Sequence, residues 1–342
     1  MAKKFTTSAF KPVVISGQKD LVKAGFLEDR ERAPRVLRPA VGDVDLAGWI
    51  RDHGPVIDRE LARWGAVLFR DFQVSGAAGF EKLAETYCPD LFAEYGDLPS
   101  EEEGNKIYRS TPYPPDKVIL FHNESSHMHR WPMKQWFYCV TAAAERGETP
   151  IVDCRAVYRE LASEIRRPFA EKGLLYVRNF ISGLDVSWRD FFRTGERAAV
   201  EDYCRSSGFE RQWLPDEGLR ISQRAPAVAR HPVTGELVFF NQVQLHHASF
   251  LEPEVRESLL ALVGEDGLPR NVYYGDGSPV PDDVMREIEK LYWRLAVQFR
   301  WQEGDILLVD NMIMAHARNP YSGERKILVA MGDMLDKKAL AA

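Results

Sequence analysis

Short apolar runs rich in β-branched and aromatic residues constrain this chain more than any other feature. Ala66 to Phe69, Lys117 to His122, Gln135 to Thr141, Glu236 to Gln242, Ile306 to Asp310 and Lys326 to Met331 have the length and composition of buried strands. Helical periodicity falls between them, over 56–64, 78–88, 155–172, 195–206 and 281–299. The candidate chemistry sits at strand ends, and the helices come in between. That ordering predicts a mainly β fold with helical insertions (α+β), built as a sandwich or barrel and not as a doubly wound βαβ sheet. No G-x-G-x-x-G or Walker motif follows any of these strands, which argues against a nucleotide cofactor. The 342 residues suit one domain, 1–342, large enough to be stable without staples. Within it, residues 1–40, interrupted by Pro12, Pro34 and Pro39, read as an irregular N-terminal extension, and 155–230 as a helical insertion.

Charge and cysteine content narrow the partners. A formal charge of −6 on a mixed surface is not the basic face that nucleic acid requires. Arg30, Arg32, Arg35 and Arg38 form one locally basic cluster, either a solvated loop or a docking patch for an acidic partner. Cys88, Cys139, Cys154 and Cys204 lie far apart with no C-x-x-C pair, as reduced thiols of a cytoplasmic protein do. No apolar core of signal-peptide length follows the basic start, and no apolar run approaches the roughly 20 residues of a membrane span. No nucleic-acid or membrane partner is expected, and the oligomeric state is left open.

The sharpest local feature is His122-Asn123-Glu124 at the end of an apolar run. On a strand, side chains at i and i+2 leave from one face with Cα atoms roughly 6–7 Å apart, so an imidazole and a carboxylate can converge on one cation. His316, a short loop beyond Ile306–Asp310, is the best third ligand. Two histidines and one carboxylate on one face of an octahedron leave three positions open, as non-haem iron(II) needs for a bidentate co-substrate and dioxygen. The bland alternative is a histidine hydrogen-bonded to a neighbouring carboxylate. A zinc site of His122, His127 and His129 is a further alternative, although its spacing matches no common zinc pattern. His246 and His247 follow an apolar run and are pocket candidates, while His53 and His231 read as surface positions.

Phe121-His122-Asn123-Glu124-Ser125-Ser126 resembles the first metal-ligand motif of the taurine dioxygenase-like (TauD/TfdA) superfamily of 2-oxoglutarate oxygenases. The likeness continues, in order, through Trp136-Phe137-Tyr138-Cys139, Gly147-Glu148-Thr149-Pro150, Phe240-Asn241-Gln242 and Tyr274-Gly275-Asp276-Gly277. It ends with Trp301 to Asp305, Asp310-Asn311 through His316-Ala317-Arg318, and Gly323 to Leu328, so it spans 65–332. The resemblance implies a double-stranded β-helix (jelly-roll, cupin-like) core. It assigns His122, Glu124 and His316 to the metal, and Thr149 and Arg325 to the far carboxylate of 2-oxoglutarate. Arg318 is the rival for that last role. A guanidinium fork suits a carboxylate because it binds in two places and keeps its charge. Ser125, His127, Asn241, Gln242 and His246 are the expected substrate contacts.

Halogenating members of the superfamily lack the carboxylate ligand, so Glu124 implies hydroxylation or a related C–H oxidation. The wording is closest to the syringomycin-type hydroxylases, which act on amino acids, often tethered to a carrier protein. The expected enzyme is therefore a dioxygenase of specialised metabolism using Fe(II), 2-oxoglutarate and O2, with succinate and CO2 as co-products. Its expected substrate is an amino acid, free or carrier-bound. A desaturase or cyclase of the same family, and a metal-binding jelly-roll protein without oxygenase activity, are the alternatives.

Overall fold

The computed structural model describes residues 21–27, 31–92, 106–110 and 113–340. Its largest sheet has seven strands in the order Val22–Gly25, Arg35–Pro39, Ala66–Phe69, Ile306–Asp310, Arg130–Thr141, Lys326–Asp336, Tyr108–Arg109. A three-stranded sheet, Ile119–His122, Met314–Arg318, Ile151–Asp153, lies across one face. Strict alternation sorts the side chains of the large sheet. Ile306 and Leu308 join Trp136, Tyr138, Leu328 and Ala330 in a core under the two N-terminal helices. Leu307 and Val309 join Phe137, Cys139, Ile327 and Val329 in a second core that also holds Ile151 and Met314 of the small sheet. Each fully buried aliphatic side chain contributes about 1.5–3 kcal/mol. A one-residue slip of Ile306–Asp310 would exchange the two faces, so the register is firmly set.

The first of those helices, Leu46–Trp64, is longer than the 56–64 read from periodicity. Asp45 caps it by accepting from the Gly48 N–H at 3.1 Å. His53 has non-helical backbone angles and Pro55 follows, so the helix kinks where proline removes a hydrogen bond. The expected segment is the half beyond the kink. The second helix is Gly76–Tyr87, and the late amphipathic helix is Asp282–Leu295.

Two expectations need correction. The extension 1–40 contains strands Val22–Gly25 and Arg35–Pro39, the latter pairing parallel with Ala66–Phe69. Residues 1–20 and Arg30 lie outside the described residues. Arg35 and Arg38 pair with Glu60 and Asp71, so both have partners within the chain. The stretch 155–230 is only partly helical. It supplies Leu174–Phe180, Glu210–Trp213 and Leu219–Ala225, which with Arg270–Tyr274 form a separate four-stranded sheet. Leu219, Ile221, Gln223 and Ala225 are buried between more exposed Arg220, Ser222 and Arg224. That is a period of two, diluted by enough arginine and serine to escape notice beside the clear helices. The chain is mainly β with helical additions. Among the described residues no helix is long and apolar enough to cross a membrane.

Candidate active site

His122 ends the strand Ile119–His122, and His316 lies in the neighbouring antiparallel strand directly opposite it. Their ring centroids are 4.2 Å apart. Glu124 is not on the strand: it sits in the tight turn that follows, where Ser125 adopts a left-handed φ of 55° and the Ser126 N–H returns to the Asn123 carbonyl at 3.2 Å. The carboxylate is thus folded back toward the histidines by a turn, not aligned by strand alternation. One donor atom from each of His122, Glu124 and His316 lies within 4.8 Å of the other two, the only such group among the described residues.

The protonation pattern suits a cation. The His122 Nδ1 is 2.8 Å from the Leu120 carbonyl, which only an N–H can satisfy, so in the neutral ring Nε2 keeps its lone pair. Burial, reinforced by neighbouring His122, holds the His316 imidazole well below its ordinary pKa, in the neutral form a metal requires. The Ser125 N–H donates to Glu124 Oε1 at 3.1 Å. The buried Nδ1 of His316 and Oε1 of Gln135 have no hydrogen-bond partner among the described residues. Two imidazoles and a carboxylate, which would leave three coordination positions open, fit a divalent ion with oxygen- or nitrogen-ligand preference.

The cleft lined by His122, Glu124 and His316 is also lined by Thr149, Arg318 and Arg325. Thr149 follows the turn at Gly147, whose φ is 72°. Its Oγ1 accepts from Trp301 Nε1 at 3.1 Å and from Arg325 Nη2 at 3.4 Å. The Arg325 Nε donates to the Gly147 carbonyl at 2.9 Å, which aims the fork into the cleft. Burial, and the nearby Arg318 charge, lower the Arg325 pKa to about 10, so it remains cationic at neutral pH and favours an anion. Arg318 is held differently. Its two Nη atoms donate to the Tyr113, Pro114 and Lys117 carbonyls at 3.0, 2.6 and 2.9 Å.

The expected substrate contacts divide. Asn241 and Gln242 are buried behind the metal loop. Asn241 exchanges hydrogen bonds with Asn123, its carbonyl accepting from the Asn123 N–H and its N–H donating to Asn123 Oδ1, both at 3.2 Å. Gln242 Nε2 donates to the Asn123 carbonyl at 3.0 Å. Asn241's amide is otherwise committed to Ala227 and Val243 backbone, so its role in the structure is bracing. His127 and His246 face each other at 5.1 Å with Tyr176 beside both. Burial, with Arg270 and Arg178 adding to it, pushes His127 down to about 3, so this pair is neutral. Ser125 is buried in the metal turn.

The zinc alternative is not assembled: neither His127 nor His129 joins His122 in a ligand cluster. His247 is occupied by Ser249 and the Val280 carbonyl. His53 is half-buried and stacks on Trp49 at 4.5 Å. His231, expected at the surface, is 1% exposed, because its Nε2 meets the buried Asp310 carboxylate at 3.1 Å.

Sequence reading missed the placement of Gln135 and Trp301 in this site. Gln135 carried a usable signal, being, with the neighbouring Lys134, one of two strongly polar residues in the otherwise apolar and aromatic stretch Trp131 to Cys139. Trp301 did not, since nothing local reports a hydrogen bond to a residue 152 positions away.

Comparison with known proteins identifies the family. Residues 31–331 match the family described as taurine catabolism dioxygenase TauD, TfdA family. Dapdiamide synthesis protein DdaC from Enterobacter agglomerans is 38% identical over 282 residues, 82% of this chain and 85% of that protein. PvcB from Pseudomonas aeruginosa shares the fold at 13% identity with a TM-score of 0.53, covering 96% of this chain and 94% of that one. A taurine dioxygenase from Burkholderia xenovorans does so at 16% identity and 0.51, covering 92% and 90%. The family match over most of the chain and a relative this similar over four-fifths of its length make the chain a member of the TauD/TfdA dioxygenase family, with that family's jelly-roll core.

Proposed function

We propose that this chain is an Fe(II)- and 2-oxoglutarate-dependent oxygenase that hydroxylates an unactivated C–H bond of an amino acid, free or held on a carrier protein, in specialised metabolism in the cytosol. The observation that carries the reading is one cleft holding His122, Glu124 and His316 together with Thr149 and Arg325. When bound, the metal with 2-oxoglutarate and dioxygen supplies the oxidising power, and succinate and CO2 leave as co-products. His122, Glu124 and His316 would hold the ion. Arg325 would grip the distal carboxylate of the co-substrate, with the Thr149 hydroxyl beside it. The apolar wall of Phe137, Ile327 and Val329 limits water at the reacting end.

A binding protein with a structural metal has no need of a cationic fork in that same cleft, which favours the enzyme. The likeness to a dapdiamide synthesis protein supports specialised metabolism. Desaturation or cyclisation uses the same residues and differs only in the fate of the substrate.

Anaerobic titration with Fe(II) and then 2-oxoglutarate tests the proposal, read by the weak visible charge-transfer absorption of the bidentate complex. Wild type should develop the band, and His122→Ala should not. A wild-type protein that shows no band but binds zinc tightly would sink the assignment. Product mass then identifies the reaction: a gain of one oxygen across a panel of free and carrier-bound amino acids means hydroxylation, and a loss of two hydrogens means desaturation or cyclisation.

A further inference from the structure

Asn311 lies on the turn between the strands Ile306–Asp310 and Met314–Arg318 and is 0% exposed. Its side chain pairs with the backbone N–H and C=O of Glu124 as one strand pairs with another. Oδ1 accepts from the Glu124 N–H at 2.7 Å, and Nδ2 donates to the Glu124 carbonyl at 2.9 Å. Nδ2 donates also to the Pro132 carbonyl at 2.8 Å. The Asn311 backbone completes the clasp, its carbonyl accepting from Asn123 Nδ2 at 2.7 Å and its N–H donating to the Met133 carbonyl at 2.9 Å.

Two opposed hydrogen bonds, one to each peptide group flanking the Glu124 Cα, fix the backbone there in rotation as well as in position. Glu124 has no strand pairing to do this, since its strand ends at His122. The clasp comes from the turn that leads directly into the strand carrying His316. One buried amide therefore ties together the two chain segments that carry the three donors. Only an amide offers an acceptor and two donors at this spot. A carboxylate would set an anionic oxygen against two carbonyl oxygens, and an apolar side chain would leave buried groups unpaired.

We propose that Asn311 is a positioning residue for the metal. It sets where the Glu124 carboxylate stands relative to His316, and so governs metal affinity and ligand geometry beyond any contribution to folding. The inference rests on the metal site proposed above. Outer residues that orient ligands typically change affinity by about 10–100-fold when altered.

The test uses Co(II), whose visible spectrum reports ligand geometry, added anaerobically to the metal-free full chain. Asn311→Asp, nearly isosteric, should bind Co(II) at least about tenfold more weakly than wild type and with a shifted spectrum. Ile57→Val, in the core under the N-terminal helices, loses packing without touching the site and should bind as wild type does. If Asn311→Asp does not fold, Asn123→Ser removes the bond to the Asn311 carbonyl, together with the one from the Asn241 N–H, and should weaken Co(II) severalfold. A folded Asn311→Asp protein with wild-type affinity and spectrum overturns the role, as does an Asn123→Ser protein that binds normally. A wild-type protein that binds no Co(II) instead overturns the metal site itself.

Discussion

Replacing Arg325 with Gln removes the guanidinium while keeping a polar side chain in place, and the parallel change Arg318→Gln separates two arginines of one cleft. Arg325 makes one backbone bond, to Gly147, and one to Thr149, and Glu124 is the one carboxylate among the residues lining the cleft. A hydrogen bond to a charged group contributes about 1.5–3 kcal/mol. Taking the two-pronged grip at the low end, loss of Arg325 should cost about 3 kcal/mol of 2-oxoglutarate binding, or roughly a hundredfold in Kd at about 1.4 kcal/mol per decade. Arg318 should behave in the opposite way. Its fork satisfies three carbonyls, so Arg318→Gln should cost about 3 kcal/mol of stability, through the loss of three hydrogen bonds at about 1 kcal/mol each. With unfolding entropy of about 2.1 cal/mol/K per residue, that lowers Tm by about 4 °C. Co-substrate titration of the Fe(II) protein measures the first effect and calorimetry the second. An Arg325→Gln protein within threefold of wild-type Kd, beside an Arg318→Gln protein weakened more than tenfold, would refute the assignment.

Gly147→Ala forces a left-handed φ on a side chain whose Cβ would stand 2.9 Å from the Ala143 Cβ and 3.1 Å from the Arg325 Cδ. It should lose about 1–2 kcal/mol of stability and weaken 2-oxoglutarate binding by pushing Arg325 aside, both visible in the same two assays. Burial pushes the thiols of Cys88, Cys139 and Cys154 up to about 12, so at pH 8 only about one in ten thousand is thiolate. Mass spectrometry after iodoacetamide should find these three unlabelled in native protein and labelled in urea; fast native labelling of any of them contradicts the packing. Burial alone would raise the Asp310 pKa, but Lys134 at 3.3 Å and the His231 hydrogen bond more than compensate and hold it below its ordinary value. A carboxylate lowered on folding stabilises above its unfolded pKa and loses that contribution as pH falls through its folded one. Asp310→Asn should therefore cost about 3 kcal/mol in urea unfolding at pH 7, with a deficit that shrinks below about pH 4.

The parts of the site that were legible in the sequence are those whose chemistry is local. His122-Asn123-Glu124 announces itself because a histidine and a glutamate break an apolar run, and the resemblance to a known family then gave the rest an order. What stayed hidden depends on pairing across long separations. Asn241 and Gln242 read as substrate contacts because they follow a strand, yet the backbone groups beside Asn123 need partners and these two residues supply them. His231 read as a surface position, but in the turn that follows it its Nδ1 accepts from the Val233 and Thr234 N–H groups, leaving Nε2–H for Asp310.

The strand Met314–Arg318 explains why the site is assembled where it is. It is paired on both edges, with Ile119–His122 on one side and Ile151–Asp153 on the other. The first neighbour brings His122 opposite His316. The second, entered through Gly147 to Pro150, brings Thr149 to the other flank, where the Ala317 N–H bonds the Pro150 carbonyl at 2.9 Å. The placement of His122 and of Thr149 relative to His316 is therefore set by the two edges of a single central strand, and a register error on either edge would separate them. Because pairing on both sides is needed before any function exists, changes that loosen that strand should lose metal and 2-oxoglutarate binding together. Changes confined to Arg325 should leave metal binding intact.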